Sequence, residues 1–136
     1  KSRSKNKYEN ITNFVGVIFP AWMPEVVAVT GIKDNGYVEC DICHKGSKID
    51  FTVVMEKATT GSNVPVLSYY NGGAQYVGGS SVATATTAGI AALVWAKYPT
   101  YTRAQVLAKM KAASAYPTTR NANFGHGNIN VLKAVQ

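Results

Sequence analysis

Hydrophobic and polar positions divide the chain near residue 14. Residues 1–13 are polar and show neither helical nor strand periodicity, which predicts an irregular, exposed entry segment. Residues 26–32 are a nearly continuous apolar and β-branched run that ends at Asp34, Asn35 and Gly36, and a second strand is predicted at residues 49–54. Runs of this kind are typical of strands in a parallel sheet that helices cover on both faces.

Three later segments predict helices. Residues 78–97 carry small and apolar residues on every side after a glycine turn, which is typical of a helix buried in the middle of a protein. Beyond Thr102, a residue type favoured at the N-cap, apolar residues at 104, 106, 107 and 110 predict an amphipathic, peripheral helix. Asn130 is expected to cap a short last helix. Residues 59–79 should hold turns and short strands, so the pattern as a whole predicts an α/β fold.

Composition and charge narrow the function classes. The chain is 46% hydrophobic and 15% charged, which is typical of a packed globular protein. Its net charge is +7, but four of its 14 cationic residues lie in the first seven, and no basic helix with interleaved aromatic residues follows. We therefore expect no nucleic-acid partner. The longest apolar run covers only residues 88–96, whereas a membrane-spanning helix needs about 20 residues, so we expect no membrane span.

The serine after the glycines is a candidate catalytic residue. Ser81 is predicted to lie at the positive end of the helix dipole, beside free backbone N–H groups that could stabilise an oxyanion. Gly78 and Gly79 would let a substrate backbone come close. The alternative is that Ser80 and Ser81 only cap the helix.

Four segments resemble those of the subtilisin-like serine proteases in order and approximate spacing. Residues 79–89 match six of the eight fixed positions of that family's nucleophile motif, Gly-Thr-Ser-x-Ala-(Thr/Ser)-Pro-x-x-(Ala/Ser)-Gly, with Ser80 in place of threonine and Ala85 in place of proline. Residues 24–29 are similar to the family's Pro-x-Val-Ile-Ala-Val strand, residues 49–51 to its Leu-Asp-Val strand, and residues 125–130 to its closing Gly-x-Gly-x-(Ile/Val)-Asn segment.

The resemblance implies that Ser81 is the nucleophile of a Ser-His-Asp triad that hydrolyses peptide bonds through an acyl-enzyme, with Gly78 and Gly79 beside the bound peptide. The triad Asp and His of this family come earlier in the chain. His44 and His126 lack the sequence context of a triad base and are expected to be ordinary surface or loop histidines. We therefore expect an inactive isolated chain that an upstream N-terminal portion of the same domain completes.

The resemblance also bears on the oxyanion hole and the fold. It pairs the Ser81 backbone N–H with a side-chain amide, for which Asn6 is the nearest candidate and Asn10 and Asn13 are weaker ones. Residues 14–136 would be the C-terminal portion of a subtilase catalytic domain, part of a doubly wound, mostly parallel sheet with helices on both faces. Family membership implies an extracellular or secreted protein. The alternative is a non-catalytic pseudoprotease or protein-interaction module that keeps this fold.

A short cysteine motif has several interpretations. Cys40, Cys43 and His44 match Cys-x-x-Cys-His, a pattern that attaches haem covalently. Zinc would need two further ligands, and the chain has only two histidines. The simplest interpretation is a surface loop with a local disulfide or two thiols. We therefore expect neither a cofactor nor a metal.

Overall fold

The computed structural model describes residues 17, 19–60 and 78–136, and the backbone of residues 65–70 and 73–76. The predicted entry segment, residues 1–13, lies outside this part. The elements in chain order are β1 (Val29–Lys33), β2 (Phe51–Glu56), β3 (Pro65–Tyr70), β4 (Gly73–Tyr76), α1 (Ser80–Lys97), α2 (Arg103–Ala112) and α3 (Val131–Val135).

Strands β1 and β2 form a parallel pair, and β3 and β4 form a separate antiparallel pair. The parallel register places Val29 beside Phe51 and Ile32 beside Val54. Helix α1 contacts both strands of the parallel pair and also contacts α2 and α3. The fold is therefore α/β, as the sequence pattern predicts.

Strand β1 begins later than the apolar run indicates, because the N–H groups of the preceding residues are bonded outside the ladder. The Val26 N–H donates to the Met23 carbonyl in a turn, and the Ala28 N–H donates to Asp50 Oδ2 at 2.9 Å. The Ala28 carbonyl in turn accepts from the Asp50 N–H at 2.7 Å. Hydrophobicity marks this segment correctly as part of the sheet region, but hydrogen bonding sets where the ladder starts.

Helix α1 buries one face within the described part of the chain. Its buried residues are Ala83, Thr87, Ile90 and Val94, which repeat at helical spacing. Leu93 and Trp95 on the same helix are 55% and 42% exposed. The sequence predicts a helix that is buried all round, and the described residues cover only this stripe. The exposed remainder of α1 includes these two large apolar residues, and the Trp95 indole N–H donates to the Tyr101 carbonyl at 2.7 Å.

The core lies between α1, α2, α3 and the start of β2. Its buried members are Phe51, Ile90, Val94, Val106, Met110, Ala113, Ile129 and Ala134. Helix α2 begins with a capping box, in which Thr102 and Gln105 satisfy each other's backbone N–H groups, and Asn130 caps α3 through the Lys133 N–H. Both predicted caps are confirmed. Among the residues that the structure describes, no helix combines the length and apolar character needed to cross a membrane.

Candidate active site

Ser81 lies in the first turn of α1, directly after a glycine turn. Gly79 is the N-cap residue of α1, with φ 89° and ψ 170°, a backbone conformation that favours glycine. The Ser81 side chain is exposed, and Gly78 and Ser80 beside it are half-buried. Within the described part of the chain, the Ser81 hydroxyl has no hydrogen-bond partner. It is therefore free to meet a substrate.

The backbone donors at this helix end are also free of helical partners. The first helical hydrogen bond runs from the Ala83 N–H to the Gly79 carbonyl at 3.1 Å. The N–H groups of Ser80, Ser81 and Val82 therefore have no acceptor within the helix. Gly79 contributes no side-chain cap, and neither serine is the N-cap residue. The positive end of the helix dipole and these donors can thus act on an anion that forms beside Ser81.

A disulfide closes the loop that follows β1. Cys40 and Cys43 are bonded, with their Cα atoms 5.1 Å apart, so the local-disulfide interpretation of the cysteine motif is the one that the structure shows. Both sulfur atoms are used in that bond. The space for it comes from Gly31 in β1, where an added Cβ would lie 2.6 Å from Cys43 Sγ. Within the described ranges, no group of three or more His, Cys, Asp or Glu side chains is arranged to hold a metal ion.

The disulfide loop also contacts the glycine turn, a feature that sequence reasoning did not identify. An added Cβ on Gly79 would lie 3.1 Å from Ile42 Cδ1. Ile42 belongs to the loop at the carboxyl ends of β1 and β2, so the turn before Ser81 lies on that side of the sheet. In open α/β sheets, ligands bind at the carboxyl ends of the strands.

A charged cluster fixes this loop to the strand ends. Lys33 Nζ lies 2.8 Å from Asp41 Oδ1 and 2.9 Å from Glu56 Oε1, and the Asp41 N–H donates to Glu56 Oε2 at 2.9 Å. The Glu56 side chain is only 5% exposed. Hydrogen bonds first to Asp41 and then to Glu56 raise the pKa of Lys33 above its ordinary value of 10.5. The ammonium group therefore stays charged well into the alkaline range.

The two histidines lie in other surroundings. The His126 ring is buried, with Nδ1 2.8 Å from the Tyr116 carbonyl and its centroid 6.1 Å from that of Phe51. His44 is half-buried, and its carbonyl accepts from the Thr30 hydroxyl. Neither imidazole has a contact with Ser81 in the described structure. Asn6, Asn10 and Asn13, the candidate oxyanion donors, lie outside the described residues.

The closing segment packs against the start of β2. Gly125 and Gly127 have φ values of 61° and 77°, and an added Cβ on Gly125 would lie 2.0 Å from the Ile49 carbonyl oxygen. The His126 N–H donates to the Asp50 carbonyl at 2.8 Å, and the Thr52 N–H donates to the Gly127 carbonyl at 3.0 Å. Glycine is needed here both for the backbone conformation and for the close approach. This explains the Gly-x-Gly pattern of the sequence.

This is an α/β protein with a serine at the N-terminal end of a helix, an arrangement that several classes of serine hydrolase use. The model of the subtilase family, peptidase S8, matches residues 6–127. The chain belongs to the subtilase family. It is 32% identical to Subtilisin E of Bacillus subtilis over 127 residues, which are 92% of this chain and 30% of that protein. It is also 32% identical to a thermostable alkaline protease of Halalkalibacterium halodurans over 123 residues.

Solved structures agree on the fold. MycP1 from Mycobacterium smegmatis superposes with a TM-score of 0.70 at 24% identity, over 88% of this chain and 32% of that chain. A protease from Pseudoalteromonas arctica superposes with a TM-score of 0.67 at 26% identity, over 86% of this chain and 37% of that chain. The chain thus spans about a third of the length of the relatives it matches.

Proposed function

We propose that this chain is the nucleophile-bearing portion of a subtilisin-like serine endopeptidase, with Ser81 as the nucleophile. The observation that carries the proposal is the position of Ser81, which is exposed in the first turn of α1 after the Gly79 turn. The nucleophile motif of residues 79–89, within the part that matches the family model, supports it. The substrates are peptides or proteins, and the reaction needs no cofactor or metal.

The reaction proceeds through an acyl-enzyme. Ser81 Oγ attacks the carbonyl carbon of the peptide bond while a histidine base takes the hydroxyl proton. The negative charge on the carbonyl oxygen is stabilised by the Ser81 N–H and, in this proposal, by the Asn6 side-chain amide. The base then gives its proton to the leaving amine as the carbon–nitrogen bond breaks. Water, deprotonated by the same base, releases the acyl group. Gly78 and Gly79 leave room for the substrate backbone.

The base and its carboxylate partner come from an upstream N-terminal portion of the same protease domain. Neither His44 nor His126 contacts Ser81 in the described structure, and an isolated serine hydroxyl is a weak nucleophile. The chain covers 30% of Subtilisin E, which leaves length in such a protein for the two missing triad members. The isolated chain therefore has negligible peptidase activity.

The Cys40–Cys43 disulfide favours an extracellular location. Disulfides form and persist in oxidising compartments and are rare in the cytosol. We place the complete protein outside the cell on this ground. Neither nucleic acid nor a membrane is proposed as a partner.

A second candidate is a non-catalytic pseudoprotease or protein-interaction module. The specific observation in its favour is that no described titratable side chain contacts the Ser81 hydroxyl. In that case the fold and the serine are retained while the chemistry is lost. The two candidates differ in whether a base reaches Ser81 once the upstream portion is present.

Reaction of Ser81 with a fluorophosphonate probe tests the proposal. The chain is treated alone and together with its upstream portion, and intact-mass spectrometry counts the bound probe. We expect one label at Ser81 only when the upstream portion is present, none in Ser81→Ala, and normal labelling in Ser80→Ala, the matched control. If the two portions associate and Ser81 stays unlabelled, the protein is a pseudoprotease.

A further inference from the structure

We propose that the loop closed by the Cys40–Cys43 disulfide positions the nucleophile turn, with Ile42 as the positioning residue for Ser81. This inference rests on the proposed function and adds a redox-sensitive support to its site. The key contact joins Ile42 to Gly79, where an added Cβ would lie 3.1 Å from Ile42 Cδ1 and 3.6 Å from Cγ1. Gly79 is the N-cap of α1, and Ser81 follows in the first helical turn.

Ile42 is an exposed apolar residue, as Phe19 and Leu132 are. The residue is 70% exposed, yet the tip of its side chain lies against the buried Gly79. A side chain that contributed mainly to the core would be covered, as Val94 and Met110 are. Ile42 therefore contributes little to the core, and the described structure places it beside the turn.

A disulfide and a charged cluster hold the residues on either side of Ile42 in place. The disulfide brackets it on both sides, with Cys40 buried and Cys43 Sγ against Gly31 of β1. The Asp41 N–H donates to the buried Glu56 carboxylate. The Asp41 side chain pairs with Lys33 at 2.8 Å. The loop is thus fastened to the ends of both parallel strands, and these contacts set the position of Ile42 beside the turn.

The short span of the disulfide fits a local role. The entropic stabilisation from a disulfide grows with the length of the loop it closes, and here the bonded residues are separated by only three positions in the sequence. Such a bond constrains little of the unfolded chain. Its main effect is on the shape of the loop, and through Ile42 on the turn before Ser81. Small displacements of a nucleophile are costly, since about 1 Å of misplacement can reduce a rate about 100-fold.

The first experiment uses the complete protein and three variants. Ile42→Ala removes the contact with Gly79. Ile42→Leu keeps an apolar side chain of the same size, and Val38→Ala is a matched change at a nearby exposed apolar residue. We measure the rate of Ser81 labelling by a fluorophosphonate, kcat and KM for a peptide substrate, and Tm. We expect Ile42→Ala to slow labelling and lower kcat about tenfold, with KM and Tm unchanged. Ile42→Leu should recover most of the rate, and Val38→Ala should match the wild type.

The second experiment tests the disulfide itself. A dithiol reductant breaks the Sγ–Sγ bond, leaves a thiol on each cysteine and is oxidised to its own disulfide. Once alkylation shows both cysteines reduced, labelling of the wild type should slow by a similar factor. The double variant Cys40→Ser, Cys43→Ser should be slow from the start and insensitive to the reductant.

The outcomes separate this inference from the proposed function. If the wild-type complete protein is not labelled at Ser81, the proposed function itself is contradicted, and the inference falls with it. If Ser81 is labelled and Ile42→Ala reacts at the wild-type rate, only the inference is overturned. A change in KM alone also overturns it, because Ile42 would then contact substrate rather than position Ser81.

Discussion

At the scale of single residues, Lys33 shows how a charge can organise a loop. It joins the exposed Asp41 to the nearly buried Glu56, and Glu56 in turn accepts from the backbone of the disulfide loop. A buried carboxylate without a cation beside it would be costly. Lys33 supplies that cation, so Glu56 can be buried while it accepts the N–H of the disulfide loop. Both partners raise the pKa of Lys33, which means that its charged form is stabilised in the folded protein.

The pH dependence of stability follows from the raised pKa of Lys33. A group whose pKa is raised on folding contributes stability that is fully present below its unfolded pKa, here about 10.5, and lost as the pH rises through the folded value. We expect Lys33→Met to lower the free energy of unfolding of the complete protein at pH 7–10. The difference from the wild type should shrink above that range. Urea denaturation across this pH series measures it.

The matched control is Lys45→Met. Lys45 pairs with Glu39 at 2.6 Å, but both side chains are more than a third exposed, and exposed pairs contribute little. We expect a smaller loss at neutral pH than for Lys33→Met. Equal losses in the two variants would contradict a special role for the Lys33 cluster.

Residue identity and residue contact differ in how well the sequence predicts them. The place of Ser81 after a glycine turn and at a helix start follows from local sequence, and the structure agrees. The contact between Ile42 and Gly79 depends on the path of the loop after β1. It also depends on Gly31, whose missing side chain leaves room for the disulfide. No local pattern encodes such a contact. A glycine inside an otherwise β-branched strand is the one signal that something approaches closely there.

At the scale of elements, α2 shows a helix start that its own sequence specifies. Thr102 accepts from the Gln105 N–H through its side chain, and Gln105 Oε1 accepts from the Thr102 N–H at 2.8 Å. These two bonds satisfy donors that a helix end leaves open. Because Val106 and Met110 of α2 are buried in the core, the start of this helix also fixes how the core is packed.

We expect Thr102→Ala to lower the free energy of unfolding of the complete protein by about 1 kcal/mol, because one helix-end donor loses its partner. Urea denaturation followed by circular dichroism measures the change. Thr118→Ala, in an exposed loop, is the matched control and should change stability little. A loss in Thr102→Ala no larger than that of the control would show that the capping box contributes nothing.

Sequence patterns predict which helices and strands form better than they predict where each one begins and ends. The parallel pair, the three helices and the two caps follow from hydrophobic spacing and cap residues. The start of β1 does not, because the carboxylate of Asp50 takes the Ala28 N–H. The sequence of α1 is apolar on every side, but only one of its faces is buried in the described structure. Hydrophobicity alone does not predict which residues pack against each face.

At the scale of the whole molecule, α1 keeps an exposed apolar surface in the described structure. Besides Leu93 and Trp95, it contains Gly89, where an added Cβ would meet no described atom within 4 Å. Glycine inside a helix destabilises the helix by about 0.5–1 kcal/mol relative to alanine. The described residues leave room for an alanine at position 89, so they give no reason for a glycine there. For the two-part protease proposed above, we predict that the upstream portion packs on this surface, where Gly89 would permit a close approach.

Gly89→Ala tests that arrangement. In the isolated chain the added methyl group has room and improves helix propensity, so helix content by circular dichroism should be equal or higher. In the two-part assembly the same methyl group overpacks the contact, and we expect affinity for the upstream portion to fall about tenfold by calorimetry. Ala108→Ser, on the exposed surface of α2, is the control and should bind normally. Normal binding by Gly89→Ala would mean that the upstream portion approaches another face of the molecule, because a closely packed partner could not accept the extra carbon without loss.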